Sequence, residues 1–159
     1  MKQTSIIIVF LLLSSCGRPT PPVYDKISQD AIILAFGDSL TYGTGSSESA
    51  NYPSLLSTLS QHKVINAGIT GEISHIGLKR LPVLLDKYQP ELMILIHGGN
   101  DMLRRIPQQQ IASNLRQMIN EARQRNIKVV MLGVPKPRFF FIKQCRNISA
   151  SCRRATSPD

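Results

Sequence analysis

From residue 31 onward, short runs of uninterrupted apolar residues alternate with longer amphipathic stretches, and this alternation restricts the fold more than any other feature. The apolar runs are Ala31 to Phe36, Val64 to Ala67, Leu92 to Ile96 and Ile127 to Leu132. A half-exposed strand alternates apolar with polar residues, whereas a strand apolar throughout is buried on both faces. Between the runs, Tyr52 to Gln61, Ser74 to Tyr88 and Gln108 to Arg125 carry apolar residues at helical spacing. Leu55, Leu56 and Leu59 are expected to face inward in the first, and Leu78, Leu81, Leu84 and Leu85 in the second. In the third the inward set is Ile111, Leu115, Met118, Ile119 and Ala122. Pro82 should kink or restart the second helix, because proline has no N–H to donate. Strands alternating with helices predict an α/β fold with a parallel sheet covered on both sides. Ligands of such sheets bind at the C-terminal ends of the strands.

Three polar clusters stand at those ends. Gly37-Asp38-Ser39-Leu40 follows the first run, Asn66-Ala67-Gly68-Ile69-Thr70-Gly71-Glu72 the second and Gly98-Gly99-Asn100-Asp101 the third. Taken singly, each reads as a turn or a helix N-cap. Turn formation alone does not account for all three in this order, each directly after a strand. A serine on a tight turn leaving a central strand can present its hydroxyl for attack. Gly71 is expected to open a helix, which leaves its N–H free and unobstructed by a Cβ. The Asn100 amide can donate to the same point, so that the two form an oxyanion hole for a tetrahedral acyl intermediate.

Residues 31 to about 137 resemble the SGNH (GDSL) hydrolase family, in particular its multifunctional thioesterase/protease/lysophospholipase branch. The stretches that carry the resemblance are FGDSLTYGTG, NAGITGEIS, GLKRLPVLLDKYQPE, IHGGNDMLRRIPQQQ and VVMLGVPKP. It implies a flavodoxin-like three-layer α/β/α sandwich, of whose five parallel strands four are expected here, and neither metal nor cofactor. It also implies that Ser39 is the nucleophile and that the N–H groups of Ser39 and Gly71 and the Asn100 amide are the oxyanion hole. Substrates in that branch are lipid-like or aryl esters and thioesters. Asp38 and Asp101 are expected to hold turns and to take no part in the chemistry.

A serine hydroxyl at its ordinary pKa is a poor nucleophile and needs a base, usually a histidine oriented by a carboxylate. The family supplies both from a late Asp-x-x-His segment. None of Asp25, Asp30, Asp38, Asp86, Asp101 and Asp159 has a histidine three residues later. Of the histidines, His62 is expected at the surface and His97 in a structural role at a strand end. His75, three residues beyond Glu72, is the candidate for a substitute base. Impaired catalysis is therefore expected. A non-catalytic envelope lipoprotein that binds acyl or carbohydrate ligands, and an inactive pseudogene product, are the competing readings.

The chain ends carry other signals. Residues 1–15 read as an export signal, with Lys2 ahead of the apolar Ile6 to Leu13. That stretch is shorter than the roughly 20 residues a transmembrane helix requires. Leu13-Ser14-Ser15-Cys16 resembles a lipobox, which makes Cys16 the expected lipidation site and the bacterial cell envelope the expected location. Residues 16–30 then form a proline-containing tether, and 31–137 an incomplete hydrolase domain. Residues 138–159 are a basic tail whose composition reads as a frameshifted or prematurely ended frame, or as a divergent terminus. Cys145 and Cys152 in that tail could pair in an oxidising compartment. The net charge of +9 is scattered or crowded into the tail, and no basic stripe interleaves with aromatics, so nucleic acid is not an expected partner. The cysteines and histidines lack zinc-site spacing. A monomer is expected.

Overall fold

The computed structural model describes residues 26–134. The export signal, Cys16, the greater part of the tether, the basic tail and the Cys145–Cys152 pairing lie outside the described residues. Each apolar run became a strand: β1 Ile32–Gly37, β2 Lys63–Gly68, β3 Leu92–Ile96 and β4 Lys128–Met131. All neighbours pair parallel, in the order β2-β1-β3-β4. The expected parallel α/β sheet is thus observed, with four strands among the described residues.

The helices are α1 Ser39–Tyr42, α2 Tyr52–Ser60, α3 Ser74–Tyr88, α4 Gly99–Leu103 and α5 Gln108–Gln124. Right-handed crossovers put α2 on one face of the sheet and α3 and α5 on the other. Leu34 and Phe36 of β1 and Met93 and Leu95 of β3 pack there against Leu81 and Leu85 of α3 and Met118 and Ala122 of α5. None of these eight is more than 1% exposed.

Two expectations need correction. Leu55 and Leu59 of α2 do not face inward; they are 48% and 83% exposed. α2 flanks the edge strand β2 and buries Pro53 instead, since an edge position offers less apolar surface to cover. Nor does α3 restart at Pro82; it runs as one helix from Ser74 to Tyr88. The proline costs about 3 kcal/mol in a helix interior, and burial of Leu81 and Leu85 on either side offsets it.

The N-terminus of α3 is held from outside the helix. Ile73 offers no side-chain cap, and the Asp101 carboxylate accepts from the Ser74 backbone N–H at 2.8 Å and the Ser74 hydroxyl at 2.5 Å. Asn114 of α5 donates to the same hydroxyl at 2.8 Å. This buried trio locks the loop after β3 to α3 and α5.

Candidate active site

The strand order reverses direction between β1 and β3, leaving a crevice above their C-terminal ends. Ser39 and Asn100 line that crevice together with Asp38, Leu40, Gly99 and Leu103, around a cavity of about 190 Å³. Asp38 caps α1: its Oδ1 accepts from the Leu40 N–H at 3.1 Å. The cap puts Ser39 in the first position of a one-turn helix, half-buried, with its own N–H unpaired among the described residues. Asp38 therefore holds a turn, as expected, while Asp101 ties separate elements together.

Gly71 lies in a turn three residues before α3 and does not open the helix. Its φ of +76° explains the glycine, because a side chain there would be strained. A Cβ would meet no atom within 4 Å, so obstruction is not the reason. The Gly71 N–H has no partner among the described residues. Its carbonyl accepts from Arg104 at 3.1 Å. Asn100 Nδ2 donates one hydrogen to the Glu72 carbonyl at 3.0 Å and has a second to offer. The loops after β1 and β3 thus bring Ser39 and Asn100 to one crevice, and Asn100 is tied to the loop after β2 at Glu72, the residue next to Gly71.

No side chain among the described residues hydrogen-bonds the Ser39 hydroxyl. His75 is exposed and makes no hydrogen bond to it. His62 is half-buried, with Nδ1 2.8 Å from the Ser60 carbonyl and Nε2 3.1 Å from that of Ser28. His97 is buried; its Nδ1 accepts from the Gly98 N–H at 3.0 Å, so Nε2 carries the proton and faces Glu72 Oε2 at 3.2 Å. Among the described residues, no three His, Cys, Asp or Glu cluster as a metal site would require.

Sequence reasoning passed over Arg80, whose guanidinium forms a two-point ion pair with Glu72 at 2.8 and 2.7 Å. The signal was a charged residue on the apolar stripe of α3, between Gly77 and Leu84. Asn114, between Ile111 and Met118 on α5, carried a similar one. Beside the crevice, an apolar groove of about 220 Å³ runs between α5 and β4, lined by Met102, Ile111, Leu115, Met131 and Leu132.

Comparison with known proteins places this arrangement. The model of the GDSL-like Lipase/Acylhydrolase family matches residues 35–156. Thioesterase 1/protease 1/lysophospholipase L1 of Escherichia coli (strain K12) is 39% identical over 107 residues, 66% of this chain and 51% of that protein. Esterase TesA of Pseudomonas aeruginosa is 34% identical over 132 residues, 80% of this chain and 65% of that protein. Among solved structures, AlinE4, an SGNH-hydrolase family esterase, superposes with a TM-score of 0.65 at 34% identity, covering 70% of this chain and 63% of that one. The chain thus spans about half the length of its Escherichia coli relative. With its family model matched over most of the sequence and its crevice built from the GDSL and GGND turns, the chain belongs to the GDSL-like lipase/acylhydrolase family.

Proposed function

We propose that the protein is a serine hydrolase of carboxylic esters and thioesters that works through an acyl-enzyme on Ser39. The observation that carries the reading is that Ser39, half-buried on its capped turn with its N–H unpaired among the described residues, lines one cavity with Asn100, whose amide has a hydrogen left to donate. Ser39 Oγ attacks the acyl carbon, and the charge that develops on the carbonyl oxygen is received by those donors. Collapse breaks the bond to the alcohol or thiol, which departs with a proton, and water then releases the acid from Ser39. Relatives named for thioesterase, lysophospholipase and arylesterase activities support lipid-like or aryl esters as the substrates. The apolar groove beside the crevice suits an acyl chain.

Residues 1–159 hold no Asp-x-x-His segment, so a polypeptide of these residues alone is expected to react slowly. Removing a triad base costs about 10⁴ to 10⁶ in kcat and leaves roughly 10³ over water from the oxyanion hole and binding. A fluorophosphonate probe tests the assignment: slow labelling is expected, and none in Ser39→Ala. Turnover near that of intact family esterases would contradict the expected slowness. Absence of labelling in the parent chain would favour a second reading, a protein that binds acyl ligands in the same crevice; the unpartnered Ser39 hydroxyl is the observation on its side. We also assign lipidation to Cys16 and location to the bacterial cell envelope, on the apolar leader and the Leu-Ser-Ser-Cys sequence. Globomycin sensitivity of processing, lost in Cys16→Ala, checks both.

A further inference from the structure

Beneath the crevice lies a polar cluster that has no part in the attack on an ester. Arg80 of α3 sits 4.2 Å above the Phe36 ring. Its Nε donates to Glu72 Oε1 at 2.8 Å, and its Nη2 to Glu72 Oε2 at 2.7 Å, the Ala67 carbonyl at 2.9 Å and the Gly37 carbonyl at 3.3 Å. Gly37 stands two residues before Ser39, Ala67 is the penultimate residue of β2, and Glu72 directly follows Gly71. The Glu72 carboxylate, 3% exposed, also receives His97 Nε2 from the end of β3, while the Glu72 backbone carbonyl holds Asn100. One guanidinium therefore reaches the nucleophile turn directly, the Gly71 turn directly, and the Asn100 turn through Glu72.

We infer that Arg80 is a positioning residue that sets the spacing of the three oxyanion donors by tying the loops after β1, β2 and β3 to one rigid fork. The inference deepens the Ser39 reading and rests on it. A buried ion pair is a poor source of net stability, since desolvation offsets the attraction, but it is a good source of a single geometry. The planar guanidinium engages carboxylate and carbonyls at once, which a lysine ammonium cannot reproduce. Gly77 is part of the device: a Cβ there would stand 2.6 Å from His97 Nε2 and 3.1 Å from Glu72 Oε2. A side chain at that position would push the cluster apart.

The test is the rate of Ser39 labelling by a fluorophosphonate, with kcat and KM for p-nitrophenyl acetate, on the purified full chain. Arg80→Met is expected to lower labelling and kcat about tenfold to a hundredfold, the effect of misplacing reacting groups by about 1 Å. KM should stay within about twofold. Arg80→Ala should regain rate with millimolar guanidinium and not with sodium chloride of the same ionic strength, a rescue that a purely structural role does not produce. Glu72→Gln keeps the shape of the side chain and decides the matter where the Arg80 variants do not fold; a loss of about threefold to tenfold is expected. Rates within twofold of the parent, or a raised KM with kcat intact, overturn the inference. If the parent chain is neither labelled nor active, the Ser39 reading fails separately. Positioning is then read by heteronuclear NMR of the Gly71 amide and the Asn100 side-chain amide in Arg80→Met. Displacement reversed by guanidinium supports it, and unmoved signals overturn it.

Discussion

The crevice and the surface beside it are built differently. On the side of β1 and β2, the Asp38 cap and the largely buried Arg80–Glu72 ion pair tie the loops to one another, and among the described residues no buried side-chain nitrogen or oxygen lacks a partner. Beside it, on the side of β4, the surface is apolar and open: Val130, Met131 and Leu132 are 37%, 53% and 46% exposed. β4 is also an edge of the sheet among the described residues. Under the proposed reading the polar side would receive the charge of a reacting carbonyl, while among the described residues no side chain hydrogen-bonds the Ser39 hydroxyl. Under that reading, oxyanion stabilisation and nucleophile activation are separable pieces of structure, built on different elements.

That contrast can be broken from the polar side first. Phe36→Ala removes the ring beneath Arg80 from the packed core and should cost about 3–5 kcal/mol by urea denaturation. A cost below 1 kcal/mol would mean that this side is no better packed than the other. Asp101→Ala leaves the start of α3 uncapped and the Ser74–Asn114 pair without its acceptor; a loss of about 2–3 kcal/mol is expected in the same measurement. Gly71→Ala, at a φ of +76°, should lose about 1–2 kcal/mol and reduce Ser39 labelling as the turn relaxes. On the apolar side, Val130→Lys should change stability by less than about 0.5 kcal/mol while lowering light scattering on heating, because a lysine on an open edge discourages strand pairing.

The smallest effect expected is one of acid pH, and it lies at the opposite end of the sheet from the crevice. Hydrogen bonding to Arg125 holds the Asp86 carboxyl below its usual range, and hydrogen bonds from Ser28 do the same for Glu91. Both folded-state values lie below the unfolded ones, so their contribution is present above the usual carboxylate range and is lost as pH falls through and below it. Asp86 is exposed and Glu91 half-exposed, and screening keeps the effect slight. The double variant Asp86→Asn, Glu91→Gln should show a flatter urea midpoint between neutral and acid pH. A slope equal to the parent's would remove these pairs from the account.

Much of the fold was legible because burial on two faces leaves a plain signature. β1 and β3, the central strands, are the runs with fewest polar residues, and β3 and α3 have the expected bounds. The inward faces of α3 and α5 followed from spacing. α2 was misread because periodicity reports which residues share a face, not whether anything lies opposite; Leu59 has the spacing of a core residue and is 83% exposed. α1 and α4 read as turns because a single helical turn has no period to detect. Of the site, Ser39 and Asn100 could be named from their motifs and line one crevice. Gly71 lies in a turn before α3 and not at the helix start expected of it.

By itself, then, the sequence determined the class of sheet, the order in which its loops arrive at one end, and the side chains available there for acyl chemistry. These follow from patterns that repeat along the chain or sit within a few residues of a strand end. The tertiary structure decided how those loops are held relative to one another. The Asp101 cap on Ser74 joins residues 27 positions apart, and Arg80 reaches back 43 positions to Gly37. No local pattern encodes such pairings, because a buried charge is stable only beside the partner that the completed fold brings to it.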